Sequence, residues 1–321
     1  MSMQRPDLLT SWTVTWTWWV VIAVVVGAYV VGSARVRPWP VGRSAAMAGA
    51  VVLLVAVLNS PLAVFSHHLF SVHMIVHLLL IMVIPLLLVL AQPIRLAVEA
   101  SSPTTSARIR GFMTFPVTRF VTSPAFTVPL YAAVLVGTHL TGFQQVMGQH
   151  SWVHESETVL YLVTGYLFLL PCIGTEISGH QLSHPVRFVT LLIAMGPDTM
   201  VGVVLMLTAT EIAPVYSASR MGWGPDPLAD QSLAGAIMWF AGDGLMMVLL
   251  LVVAGQWIRT DRSRDPSEPR RTSWLDNARR EATLGSPTAG DDDTTDMDDD
   301  DAALAAYNAR LREMHGLDRR S

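Results

Sequence analysis

The sequence has no lysine, a single cysteine, and only 14% charged residues over 321 positions. Each shortage excludes something. With Cys172 alone the chain closes no internal disulfide and builds no cysteine cage, so any metal must be held by histidine, methionine or carboxylate. Without lysine, arginine carries the whole charge signal for membrane topology. Phosphate-binding glycine loops, dinucleotide fingerprints and nucleophile triads are missing too, so nothing points to soluble catalysis. The formal net charge of -4 resides mostly in the C-terminal tail and gives no reason to expect a nucleic-acid partner.

What is present is apolar length. Hydrophobic residues make up 51% of the chain, more than a water-soluble domain of this size needs for one core. Runs of about 20 apolar residues, enough for a helix to cross some 30 Å of hydrocarbon, recur along the first 255 positions. Only helices suit them, because backbone polar groups in lipid must be satisfied within their own segment. The expected fold is therefore all-α: an integral membrane bundle of seven spans near 17–34, 45–65, 72–91, 124–142, 156–173, 187–210 and 232–257. Residues 1–257 form this transmembrane domain. Residues 258–299 read as a disordered linker ending in an acidic run, and 300–321 as a short amphipathic helix carrying Leu304, Tyr307, Leu311 and Met314 at helical spacing.

The arginines are biased to one side, the opposite loops holding only Arg5 and Arg220. Arg35, Arg37 and Arg43 follow the first span, Arg95, Arg108, Arg110 and Arg119 the third, Arg187 precedes the sixth, and Arg259 to Arg271 follow the seventh. By the positive-inside bias the N-terminus lies outside and the tail is cytoplasmic. His67, His68, His73, His77, His139, His150 and His154 then gather near the outer face, while His180 and His184 lie inside.

His73 and His77 open the third span with spacing that puts both rings on one helical face, a turn apart. That geometry suits two ligands of one ion, and the adjacent Met74 adds a thioether, a set that favours copper. A second pair, His150 and His154, opens the fifth span, and His139 ends the fourth at the same level. Asp198 and Asp243 lie midway along spans six and seven, where a carboxylate costs several kcal/mol unless paired, protonated or hydrated, and so reads as functional. Asp230 and Gln231 read as an outer cap before span seven. Pro85 is expected to kink the third span. The residues by themselves leave open a copper transporter, a structural scaffold, or a haem-binding membrane cytochrome with axial histidines such as His77 with His139 or His154.

The stretch Ser71-Val72-His73-Met74, His77-Leu78-Leu79-Leu80, and Pro85-Leu86-Leu87-Leu88-Val89-Leu90 with Pro93 resembles the multi-spanning CtaG family of cytochrome c oxidase assembly factors, named for caa3-type oxidases. Pro197-Asp198 with Gly202, and Asp230-Gln231 with Ala234-Gly235 and Ile237-Met238-Trp239, extend the match over residues 45–257. The resemblance implies a non-enzymatic role in maturing haem-copper oxidase, with copper helped toward the catalytic subunit. Oxidase subunits would be its partners and the bacterial plasma membrane its location. The orientation can be checked directly: a reporter fused after residue 260 should be active only as a cytoplasmic fusion, and activity only outside would overturn the scheme.

Overall fold

The computed structural model describes residues 11–148, 150–174, 182–220 and 222–262, and among these no strand occurs. Helix α1 (Trp16–Arg35) is followed by α2 (Val41–Asn59) and the short α3 (Pro61–Ser66). A composite rod comes next: α4 (Phe70–Leu78), a π-helical turn (Leu79–Val83) and α5 (Ile84–Ala91), then α6 (Pro93–Ala100) beyond Gln92, whose φ of 54° is left-handed. Helices α7 (Pro103–Thr114) and α8 (Pro116–Val121) lead to α9 (Pro124–His139) and α10 (Phe143–Met147). The chain continues through α11 (Ser151–Ile173), α12 (His184–Leu207) and α13 (Pro214–Ser219). A second composite rod closes it: α14 (Pro227–Ile237), a π-helical turn (Met238–Gly242) and α15 (Asp243–Arg262). Proline opens many of these helices, where its missing N–H would have had no intrahelical partner.

Six helices are long and apolar enough to cross a membrane: Trp16–Arg35, Val41–Asn59, Phe70–Ala100, Trp152–Ile173, His184–Leu207 and Pro227–Asp261. This is a multi-pass membrane bundle close to the expected one. The difference is the fourth expected span, 124–142, where α9 has 16 residues and stops at His139. At 1.5 Å per residue it is about 24 Å long, short of the hydrocarbon thickness. It packs on α11 and α12, while Ala125, Pro129 and Ala133 on its other face are exposed. Elsewhere Val20, Val24, Leu192, Ile193, Val248 and Leu251 are exposed, an apolar surface for lipid to cover.

The chain divides into residues 1–257 and 258–321, and of the second unit only 258–262, the end of α15, are described. The expected linker beyond 262 and the expected helix at 300–321 lie outside the described residues, as does His180.

Around the centre, α11 packs against α5, α9 and the first π-turn, while α14 packs on α4 and α12. The irregularity expected at Pro85 takes the form of this π-turn just ahead of it. Pro85 has no N–H to return to the carbonyl of Ile81 four residues earlier. Gly165 of α11 comes directly over that carbonyl: a Cβ there would lie 1.9 Å from the Ile81 oxygen. Gly202 and Gly235 permit a similar approach of α12 to α14, each meeting the other's carbonyl oxygen. Helix α1 is pinned at both ends, by Trp19 Nε1 donating to Asn59 Oδ1 at 3.1 Å and by Tyr29 donating to the Ala91 carbonyl at 3.0 Å.

Gly165→Ala should therefore force α11 off the π-turn and lower stability by roughly 1–3 kcal/mol, the usual range for overpacking. Thermal unfolding of the detergent-solubilised protein measures this, and an unchanged midpoint would contradict the packing described.

Candidate metal centre

Helix α4 sets the centre, and its start is held by another helix. Asp230, on α14, accepts from the backbone N–H of Phe70 (2.8 Å) and of Ser71 (3.2 Å) and from the Ser71 hydroxyl (2.6 Å). Arg220 stands 3.6 Å from the same carboxylate. A carboxylate at a helix N-terminus meets the positive end of the dipole, and its hydrogen bonds are charge-assisted. The expected cap is thus real but serves a different helix, since Asp226 caps α14 through Leu228 and Ala229. Gln231 instead closes the end of α12, accepting from Ile212 and donating toward the carbonyls of Leu205, Thr208 and Thr210.

From this fixed start His73 and His77 project a turn apart, 1% and 3% exposed, with ring centroids 3.9 Å apart. Glu157 of α11, 2% exposed, faces them. One ligand atom from each of His73, His77 and Glu157 lies within 4.8 Å of the others. Atoms bound about 2 Å from a common ion lie at most about 4 Å apart, so small side-chain movements suffice.

The hydrogen bonds show that Nδ1 of His77 carries a proton. His139 Nδ1 lies 2.9 Å from the Leu135 carbonyl, which can only accept, so Nδ1 of His139 is the donor. Nε2 of the neutral ring is then an acceptor, 3.0 Å from His77 Nδ1, which must donate to it. The other ring nitrogen of His77, Nε2, faces Glu157 Oε1 at 3.4 Å. In the neutral ring that nitrogen is an acceptor, and two acceptors then face one another there. Among the described residues neither atom has a hydrogen-bond partner, and the same is true of His73 Nε2, Glu157 Oε2 and His154 Nδ1. Leaving such groups buried and unpaired costs about 1–3 kcal/mol each, more for charged ones, unless a cation joins them. Thr138 and Tyr161 complete the shell: the hydroxyl of Thr138 donates to the Val134 carbonyl at 2.7 Å and lies 2.5 Å from the phenolic hydroxyl of Tyr161, whose ring centroid is 4.2 Å from that of His77.

The expected site residues divide into three groups. His73, His77, His139 and His154 come together, with His154 Nδ1 3.8 Å from Glu157 Oε2. His139 orients His77 through a direct hydrogen bond and so is not an opposite axial ligand to it. His150 is exposed, its ring beside Trp152, and Met74 is buried in the main apolar core. Asp198 and Asp243 have partners of their own. Tyr131 donates to Asp198 at 2.8 Å, and Thr199 to Asp243 at 2.6 Å.

Glu157 was missed by the sequence reading, although its signal was there: a carboxylate inside an apolar run, three residues after His154 and so on the same helical face. At the rim of the cluster, outside the spans, the His67 ring lies 4.7 Å from that of His154, tilted by 56°. Partial desolvation, and then His154 and His68, lower its imidazole to about 4, so it is neutral near neutral pH.

The fold and the site together define a class: a multi-pass helical membrane protein with a buried centre of two imidazoles and a carboxylate. Residues 27–260 match the model of the cytochrome c oxidase caa3 assembly factor family, and the chain belongs to that family. An uncharacterized protein of Mycobacterium leprae is 30% identical over 332 residues, covering 98% of this chain and 47% of its own length. One from Mycobacterium bovis is 30% identical over 312 residues, covering 94% of this chain and 43% of its own. The chain thus spans less than half the length of these curated relatives. No solved structure matches it.

His139→Ala should release His77 from its fixed tautomer and weaken metal binding about 10–100-fold, as loss of an orienting partner does. His139→Gln, whose amide oxygen can still accept from His77, should restore part of it. A cupric titration of the purified proteins compares them, and equal affinity in all three would remove His139 from the site.

Proposed function

We propose that this protein helps mature haem-copper cytochrome c oxidase by holding a copper ion at His73, His77 and Glu157 and passing it to the catalytic subunit. The observation that carries this reading is the approach of His77 Nε2 to Glu157 Oε1, 3.4 Å apart in a buried site, with His73 Nε2 beside them and none of the three hydrogen-bonded among the described residues. A proton could separate one such pair, but three converging donors call for a metal. Two imidazoles and a carboxylate suit a borderline divalent ion, and cupric copper binds such sets most tightly of the first-row divalent metals. In this reading the third donor is Glu157 rather than the thioether of Met74.

The chain's own groups account for both holding and release. Asp230 fixes the start of α4, His139 keeps the His77 lone pair on the ion, and Glu157 supplies the compensating charge. Three protein ligands leave a coordination position open. An incoming ligand of the acceptor can enter there before a histidine leaves, so transfer proceeds by ligand exchange with no change of oxidation state. The protein acts as a chaperone, not an enzyme. The arginine bias puts the centre near the outer face of the bacterial plasma membrane, and membership of the oxidase assembly family supports oxidase subunits as the acceptors.

The test compares wild type with His73→Ala, His77→Ala and Glu157→Gln. Copper per chain should fall in each variant, and cells carrying them should hold oxidase with its haem but low in copper and activity. Added external copper should restore part of it, since mass action can replace a donor. Equal copper and unchanged oxidase in all four strains would remove these residues from the mechanism, and a strong haem band in the purified wild type would favour a cytochrome instead.

A further inference from the structure

One ion at His73, His77 and Glu157 satisfies only one oxygen of the carboxylate. Glu157 is 2% exposed, and its second oxygen, Oε2, has no hydrogen-bond partner among the described residues. That oxygen faces His154 Nδ1 at 3.8 Å, and this nitrogen is also buried and unpartnered. His154 and Glu157 sit three apart on α11, so the helix itself holds them side by side. The His67 ring comes within 4.7 Å of the His154 ring from the end of α3, and His67 is exposed. Going inward, the order is an exposed imidazole, a half-buried one, a buried carboxylate, and two buried imidazoles.

We propose that Glu157 bridges two copper positions, with His67, His154 and its Oε2 oxygen forming the second, on the surface side of the first. The proposal rests on reading His73, His77 and Glu157 as a copper site. A carboxylate can give one oxygen to each of two neighbouring ions, as in two-metal centres. Two divalent ions sharing one negative charge repel strongly in a poorly screened site. The position nearer the surface, with fewer buried donors and better screening, is the weaker. Filling it loosens the inner ion, the same push between adjacent sites that lets channels release tightly held ions. Movement inward exchanges Oε2 for Oε1, and His67 and His154 for His73 and His77. The ion keeps its charge and oxidation state throughout, and Glu157 stays bonded to it.

The experiment is a cupric titration of the full chain in detergent, with low-temperature electron paramagnetic resonance at one and two equivalents. Wild type should bind two, the first at least tenfold tighter, with an isolated copper signal that broadens as the second enters. His67→Ala and His154→Gln should keep only the tight ion, His73→Ala only the weak one, and Glu157→Gln should weaken both. His67 is exposed, so its replacement separates lost binding from lost folding. Wild type binding a single ion that His67→Ala and His154→Gln leave unchanged would overturn the second position while leaving the first. Two ions unaffected by those variants would overturn it as well. No binding at all in wild type would overturn the inner site and this inference together.

Discussion

The centre depends on one close approach: Nε2 of His77 set 3.4 Å from a carboxylate oxygen of Glu157, both buried and without a hydrogen-bond partner among the described residues. Left to themselves these groups would turn away or find a donor. They are held because each stands on a rigid element. Asp230 fixes α4 from a different helix, the His77 ring is fixed by His139, and His139 is fixed by the Leu135 carbonyl of its own helix. The protons on Nδ1 of His139 and Nδ1 of His77 follow in sequence from that single carbonyl, which can only accept.

The backbone irregularities serve the same end. The first π-turn comes directly after the segment that carries the two histidines, and α11, which carries Glu157, is brought against it by Gly165. A side chain at 165 would push α11 away from α5. Pro85 supports this by freeing the Ile81 carbonyl from its usual intrahelical partner, so the closest point of approach is a place where the helix has already given up a bond. The second π-turn similarly precedes Asp243, whose partner Thr199 lies on α12 beside Asp198. π-turns of this kind are frequent at functional sites because they re-aim side chains without breaking the rod.

The two intramembrane aspartates form a different kind of structure from the histidine centre. Asp198 is buried and bonded to the Tyr131 hydroxyl, and Asp243 to that of Thr199, so hydroxyl donors supply what a lone carboxylate in a bilayer would lack. They tie α12 to α9 and to α15. Asp243 keeps one buried oxygen without a hydrogen-bond partner among the described residues, so this seam is not closed in the way a purely packing contact would be.

The sequence by itself determined the membrane-embedded helical character, because apolar length and backbone satisfaction allow nothing else. It determined the pairing of His73 with His77, because a helix places residues four apart on one face. It also determined the family resemblance, through local motifs in the same helices. Tertiary structure alone decided which other groups meet that pair. His150 and His154 are equivalent by spacing, yet His150 stands exposed beside Trp152 while His154 approaches Glu157. Asp230 looked like a cap for the helix that carries it and caps α4 instead. His139 looked like a ligand, and its Nε2 lies hydrogen-bonded to His77. In each case helical periodicity fixes the face a residue occupies, and only the packing of one helix on another decides what lies across from it.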